Sequence, residues 1–535
     1  MRTGIGTAVR RVRARAAARG HGTPDRWHSY LQVVEPELLA RPRVHRFARV
    51  PELGPPALRA APIAAWIEGE GGKASHTRDA LAGGAVAPAG VFGGSLEDAL
   101  ARTRCDYLAL VRAGDSPAPL ALERLGQAAT LAPDAGVITC DDDVIDAVDV
   151  RTSPHFRPGP SPDRWLACDD SGPLIIVKRD RATAVARELH GGPGWRHELA
   201  LALAGPDGSG HAHVPMLLCH RDPDLPIPPP LDASVVSRYA DGARVEWSEG
   251  IRRVRRPIAG EPSVEVVICF RDQPALLARC VVALLGRTRY ERLSVALVDN
   301  GSREAQTAAL LGGLARRPRV RMLRDERPFN FAALNNLAAE NSTADVLVFL
   351  NNDTEIVDGD WIEILLEEAL RPEVGAVAPM LLYPAGAVQH AGAAIGLHGY
   401  AGHPFAGLMP NDDTAFGRAA GGTRNWLAVT AACMMVERAK FEAVGAFDEG
   451  FVVGGNDVDL CLRLTAAGHR SLCVPHAVVM HDESVSRGAL IDPGDFVRSE
   501  QSYGEFRTVG DPFYNPSLTL QSTGCELRLP SEGAL

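Results

Sequence analysis

The stretch 264-VEVVICFRDQPALLARCVVALLGRTRYERLSVALVDNGS-302 decides the fold. It opens with Val264–Phe270, a mostly apolar run closed by Arg271-Asp272, which reads as a strand buried on both faces. Gln273–Leu285 then carries apolar residues at helical spacing, and Leu293–Val298 is a second strand ending in Asp299-Asn300-Gly301-Ser302. The pattern continues outward: Gln306–Leu314 helical, Val320–Leu323 a short strand, Asn330–Ala339 helical, and Ala344–Leu350 a strand ending in Asn351-Asn352-Asp353. Strands alternating with helices predict an α/β fold with a mostly parallel sheet covered on both faces. Such sheets bind ligands beyond the carboxyl ends of their strands, and three strands here end in polar, acid-bearing turns.

Toward the amino terminus, the Pro-rich Asp222–Leu231 (DPDLPIPPPL) and the polar segment after it predict a connector over 222–261. The half before it is a weaker copy of the same pattern. Cys105–Val111 is a strand running into Arg112-Ala113-Gly114-Asp115, Leu120–Leu131 a helix, and Val137–Cys140 a strand ending in Asp141-Asp142-Asp143. The same succession surrounds Asp345–Gly375, so an internal duplication is expected, with Ala61–Ile67 as its first strand.

Composition limits the remaining classes. The chain has 535 residues, 46% hydrophobic and 23% charged, which fits a folded protein of several domains rather than a disordered chain or a fibre. No apolar run approaches the roughly 20 residues of a membrane span. The net charge of −10 argues against nucleic acid as a partner. Ten Cys without a CxxC pair fit reduced thiols and a cytoplasmic location. Residues 1–60 nevertheless carry twelve Arg against four acids, and Val9–Arg19 (VRRVRARAAAR) lacks any acid. That segment reads as a solvated basic tail, a peripheral contact with anionic membrane at the inner face of the plasma membrane, or a transit peptide.

The acidic strand ends allow two readings each. Asp353 suits a divalent cation held by one or two carboxylates plus substrate phosphates, with Asn351 and Asn352 as neutral helpers. It also suits an N-cap for the following helix. Asp457 and Asp459, in Asn456-Asp457-Val458-Asp459, sit where a helix begins; one fits a general base and the other a structural role. His481 follows the apolar run Ala477–Met480 and fits either a ligand or a structural side chain. No zinc-spaced cluster, P-loop or GxSxG elbow is present, and Gly4-Ile5-Gly6 follows no strand.

Taken in order, these motifs resemble a family 2 glycosyltransferase of the GT-A fold over residues 262–488, of the bacterial branch serving cell-surface polysaccharides, rhamnosyltransferase-like members included. The resemblance rests on Val298-Asp299-Asn300-Gly301-Ser302, Phe329-Asn330-Phe331 with Asn335-Asn336, and Leu350-Asn351-Asn352-Asp353-Thr354. It extends through Gln389-His390-Ala391-Gly392, Gly445-Ala446-Phe447-Asp448-Glu449, Asn456–Arg463 and His481-Asp482-Glu483-Ser484. Asp106–Leu110, Asp141-Asp142-Asp143, His155-Phe156-Arg157-Pro158, His213-Val214-Pro215, His220-Arg221 and the tail Asp511–Pro516 resemble tandem members of that branch. In the first half Trp195-Arg196-His197-Glu198 stands where the family places its acidic base motif, so this half reads as a degenerate GT-A-like module.

Composition and the resemblance together imply five segments: a basic tail (1–28), the degenerate module (29–221), the connector (222–261), a catalytic GT-A domain (262–490) and a carboxyl-terminal extension (491–535). It implies an inverting, metal-dependent transfer of a sugar from a UDP-, dTDP- or GDP-linked donor to a hydroxyl of a glycan or lipid-linked acceptor. Asp272, Asp299 and Asn352 would bind the donor nucleotide. Asp353 and His481 would hold Mg²⁺ or Mn²⁺, and Asp457 would be the catalytic base. The alternative reading is a non-catalytic glycan-binding or scaffold pseudoenzyme; turnover separates the two. A nucleotide-sugar pyrophosphorylase would want a Gly-rich basic loop, which Ile268–Pro274 lacks.

Overall fold

The computed structural model describes residues 24–532, apart from 41–42, 48, 50–51, 56–57, 191, 193, 227, 249–250 and 483–491. The Arg-rich Val9–Arg19 and the pair Glu483-Ser484 lie outside the described residues. The chain divides into two compact units. The first comprises residues through Val254 together with Asp412–Gly421 and the segment from Val509; the second comprises Arg255–Asn411 and Gly422–Thr508.

The strands of the first unit are β1 (Arg43–Arg46), β2 (Glu52–Leu53), β3 (Ile63–Glu68), β4 (Val91–Phe92), β5 (Tyr107–Arg112), β6 (Ser116–Pro117), β7 (Val137–Ile145), β8 (Arg151–His155), β9 (Leu174–Lys178) and β10 (His211–Arg221). They form a sheet in the order β2-β1-β10-β7-β9-β5-β3-β4, with β6 beside β10 and β8 beside β7. Successive side chains of a strand face opposite sides. Ile63, Ala65 and Ile67 accordingly enter one apolar cluster with the helix Ala121–Leu131, while Ala64 and Trp66 enter another with the helix Trp195–Ala204. A short pair, β11 (Arg244–Ser248) and β12 (Ile251–Arg255), follows.

Two expectations change here. The Pro-rich segment belongs with the first unit as far as Val254, because Leu231, Val235 and Val236 bury against Leu199 and Leu203. And β7 does not end at Cys140 but runs on through its three aspartates. Each carboxylate meets a donor from elsewhere in the unit. Asp141 accepts from the Arg157 N–H at 2.7 Å and Asn515 Nδ2 at 2.8 Å; Asp142 meets Arg157 and Arg221; Asp143 meets Arg151 at 2.6 Å and His220 at 2.5 Å. These motifs therefore anchor the tail Asp511–Asn515, whose Pro512 carbonyl also accepts from the Gly159 N–H at 2.8 Å.

The second unit carries β13 (Val264–Phe270), β14 (Leu293–Asp299), β15 (Val320–Arg324), β16 (Val346–Leu350), β17 (Thr354–Ile356), β18 (Val374–Leu382), β19 (Val388–His390), β20 (Ala394–Ile395), β21 (Ala401–Gly402), β22 (Arg424–Trp426), β23 (Cys433–Glu437) and β24 (Arg470–His481). The sheet order is β15-β14-β13-β16-β23-β18-β24-β17, with β19 beside β18 and β22 beside β24. β13 to β16 pair in parallel, β23 opposes both β16 and β18, and β24 runs parallel to β18. Strands this apolar need cover on both faces. One face of β13, β14 and β16 packs on the helices Pro274–Arg287 and Trp361–Ala369. The carboxyl ends of β13, β14, β16 and β24 thus share one edge with the amino end of β23.

The two units repeat one another. β3, β4, β5, β6, β7, β8, β9 and β10 correspond in chain order and in pairing sense to β13, β14, β16, β17, β18, β19, β23 and β24. The expected duplication is present, and β3 is the first strand that the weak apolar run Ala61–Ile67 foreshadows.

Candidate active site

The expected site residues all stand on that shared edge of the second unit or at helices that reach it. Asp272 follows β13 with a left-handed backbone (φ 53°). Its Oδ1 accepts from the N–H groups of Arg303 and Glu304 at 2.8 and 2.9 Å, and these bonds hold its carboxyl below the usual range. Its own N–H donates to Ser302 Oγ at 2.7 Å, and the Ser302 N–H donates to Asp299 Oδ1 at 2.8 Å. Asp299 is buried, and its Oδ2 pairs with Arg324 at 2.7 Å. Asp272 and Asp299 thus shape one turn, with Asp299 fixed by two partners, Ser302 and Arg324, that lay outside the sequence reading of roles.

Asp353 lies where β16 passes into β17, and β17 pairs antiparallel with β24 so that Thr354 faces His481. His481 Nε2 comes within 3.2 Å of Asp353 Oδ1. That oxygen is buried and has no hydrogen-bond partner among the described residues. Gln389 Oε1 stands 3.3 Å from His481 Nδ1, and Asn351 Nδ2 stands 3.4 Å from Nε2. In the tautomer whose Nδ1–H donates to Gln389 Oε1, the Nε2 lone pair faces Asp353. In that tautomer two acceptors stand 3.2 Å apart. A divalent cation suits that arrangement. Among the described residues no group of three or more His, Cys, Asp or Glu is placed to hold a metal alone. The two donors match a cation whose remaining ligands are phosphate oxygens and water. Asn352 is buried in the same turn.

Asp457 is the second residue of the helix Asn456–Ala466, which begins after Gly455 in the left-handed region (φ 89°). A Cβ at Gly455 would sit 2.9 Å from Ser499 Oγ, so a side chain is excluded there on two counts. The preceding loop is fixed by Asp495, buried, whose carboxylate accepts from the N–H groups of Val452, Val453 and Gly454 at 2.7, 2.9 and 2.9 Å. No sequence motif marked Asp495. The two helix aspartates differ. Asp459 is tied to Arg463 at 2.8 Å and to Ser502 at 2.8 Å. Asp457 is only partly buried; its Oδ2 accepts from the Ala431 N–H at 3.2 Å and its Oδ1 from Val458 N–H at 2.9 Å.

A short path joins Asp457 to the Asp353 turn. The residue after Ala431, Ala432, accepts through its carbonyl from the Asn351 N–H at 2.9 Å. Asp457, Asn351, Asp353 and His481 therefore gather around the amino end of β23 and the carboxyl end of β16. The motifs Phe329-Asn330-Phe331 and Asn335-Asn336 brace this region from behind. Asn330 Nδ2 donates to the Glu449 carbonyl at 2.7 Å, and Asn336 exchanges bonds with the Phe447 backbone at 2.9 and 3.1 Å.

Residues 265–430 match the family described as Glycosyl transferase family 2. The O-antigen biosynthesis protein RfbC of Myxococcus xanthus is 38% identical over 455 residues, covering 82% of this chain and 36% of that protein. The N-acetylglucosaminyl-diphospho-decaprenol L-rhamnosyltransferase of Mycobacterium tuberculosis is 32% identical over 218 residues, covering 37% of this chain and 68% of that protein. The chain spans about a third of the length of the first curated relatives it matches. Among solved structures, GalNAc-T7 with UDP, GalNAc and Mn²⁺ aligns at a TM-score of 0.38 and 18% identity, over 46% of this chain and 50% of that one.

Proposed function

The chain belongs to glycosyl transferase family 2, and from that premise we propose that its second unit transfers a sugar, with inversion, from a nucleoside-diphosphate donor to a hydroxyl of a glycan or lipid-linked acceptor. Cell-surface polysaccharide synthesis is the setting, in line with the name of the Myxococcus relative. The observation that carries the reading is the meeting of an orphaned, buried Asp353 Oδ1 with His481 Nε2 beside a partly exposed helix-borne Asp457.

Asp353 and His481 would hold the divalent cation, Mg²⁺ or Mn²⁺. When bound, it offsets the charge of the departing nucleoside diphosphate. The chain's own residues supply the rest. Asp272, Asp299 and Asn352 line the donor side at the ends of β13, β14 and β16. Asp457 takes the acceptor hydroxyl's proton onto a carboxylate oxygen as that hydroxyl attacks the anomeric carbon. The Ala431 and Val458 N–H groups orient that carboxylate.

Melting the protein against UDP-, dTDP- and GDP-sugars, with and without Mn²⁺, tests the reading. A donor at 100 times its dissociation constant stabilises the folded state by about 2.7 kcal/mol. One nucleotide class should raise the melting temperature only with metal present and only with Asp353 intact. A chain indifferent to every donor and metal would instead be the glycan-binding scaffold.

A further inference from the structure

The repeat allows the first unit's counterpart of each site residue to be found by register. In the second unit Asp353 lies three residues past the end of β16, Thr354 opens β17, and Thr354 pairs with His481. In the first unit Asp115 lies three residues past the end of β5, Ser116 opens β6, and Ser116 pairs with His220. Asp115 and His220 are thus the equivalents of Asp353 and His481. The helix Trp195–Ala204 begins after Gly194 in the left-handed region (φ 88°), as Asn456–Ala466 does after Gly455. Arg196 therefore takes the place of Asp457.

The first unit keeps the acid and the imidazole but treats them differently. Asp115 is fully buried, and both its oxygens are engaged. Arg112 Nε donates to Oδ2 at 2.8 Å and Nη2 reaches Oδ1 at 3.4 Å, while the Asp222 N–H donates to Oδ1 at 3.1 Å. His220 turns its Nδ1 to Asp143 at 2.5 Å. Arg196 donates to the carbonyls of Leu110 and Pro173, both at 2.9 Å, and to Glu68 at 3.1 Å. Pro173 precedes β9 as Ala432 precedes β23, so the Arg196 guanidinium fills the region that Asp457 faces in the second unit.

We propose that the Arg112 guanidinium stands permanently where the second unit takes a divalent cation, so that the first unit's nucleoside-diphosphate site is closed by the chain's own cations. The full chain then has one transfer centre. This rests on the reading of the Asp353–His481 pair given above. A buried carboxylate requires a partner of opposite charge. In the second unit that partner arrives with the donor, and in the first it is covalently supplied.

The test uses the full chain with Mn²⁺ and UDP, GDP or dTDP as probes, read by calorimetric stoichiometry. Wild type should bind one Mn²⁺–nucleotide, Asp353→Ala none, and the paired variant Arg112→Met/Asp115→Asn still one with affinity unchanged within about twofold. The paired variant leaves no buried charge unmatched and so retains its fold. Two equivalents in wild type, or binding in Asp353→Ala that the paired change removes, would overturn the proposal. A second arm is independent of the second unit. In the Asp353→Ala background, Arg112→Ala should make the melting temperature rise by at least about 2 °C with Mn²⁺, and Asp115→Asn should abolish that rise. Failure to gain Mn²⁺ dependence would show that Asp115 and His220 are no cation site, and the proposal would fall. If wild type binds no nucleotide at all, the reading of the second unit fails while the Arg112 arm still gives its own answer.

Discussion

Asp457 and Asp459 are two residues apart on one helix, and the packing around them makes them chemically unlike. Asp459 has a guanidinium and a hydroxyl fixed to it; among the described residues Asp457 has backbone donors only, and it is partly exposed. Replacing Asp457 by Asn preserves shape and those backbone contacts but removes the proton acceptor. Asp457→Asn should therefore lower kcat by about 10²–10⁴-fold. Donor affinity and melting temperature should stay near those of the wild type, measured by nucleotide titration and a thermal melt. Near-normal turnover would assign the base to another group. Read from the residues alone, one aspartate fits a chemical role and the other a structural one. Only the resemblance singles out Asp457; of the two partners of Asp459, Arg463 is four residues away and Ser502 lies 43 residues away.

At the scale of elements, legibility followed how local each cause is. The second unit's first strands were readable because their apolar runs stop at acidic turns, and burial on both faces demands such runs. β7 reads from sequence as ending at Cys140 because its aspartates look like a strand end, yet it runs to Ile145. Their partners are Arg157, Arg221, His220 and Asn515, the last 374 residues distant from Asp141. The segment after the Pro-rich stretch was misread for a similar reason: composition hid Val235 and Val236, whose burial depends on a remote helix. Gly392, in Gln389-His390-Ala391-Gly392, is readable only in the structure. Its φ is +119°, and a Cβ there would overlap the indole of Trp426 on β22. Gly392→Ala should destabilise the chain by about 1–3 kcal/mol, seen as a lower urea midpoint. The strain should also reach Gln389 and loosen donor binding; a variant as stable as wild type would mean that β22 yields freely.

Across the whole molecule, the histidines divide unevenly. His45, His197 and His211 of the first unit are buried, and burial holds each imidazole below its ordinary range. His155 is pushed down to about 4, first by burial and then by Arg157. A lowered folded-state pKa means that the unfolded chain takes up protons which the folded chain refuses. Stability is then complete above the unfolded value near pH 6.5 and is lost as pH falls below it toward the folded values. Hydrogen exchange at pH 7.5 and pH 5.0 should show protection lost first in β1, β10 and the helix Trp195–Ala204. Equal loss across β13, β14 and β16 would contradict this.

The chain moves between its two units at 254/255, 411/412, 421/422 and 508/509, and the residues after 508 return to clasp Asp141. For descent by recombination this is a strong constraint. A single genetic crossover at the 254/255 boundary would graft a foreign second half together with a foreign tail onto a first half whose buried aspartate expects Asn515. Lineages of such chains are therefore expected to diverge by substitution within an inherited pair, rather than by exchanging halves.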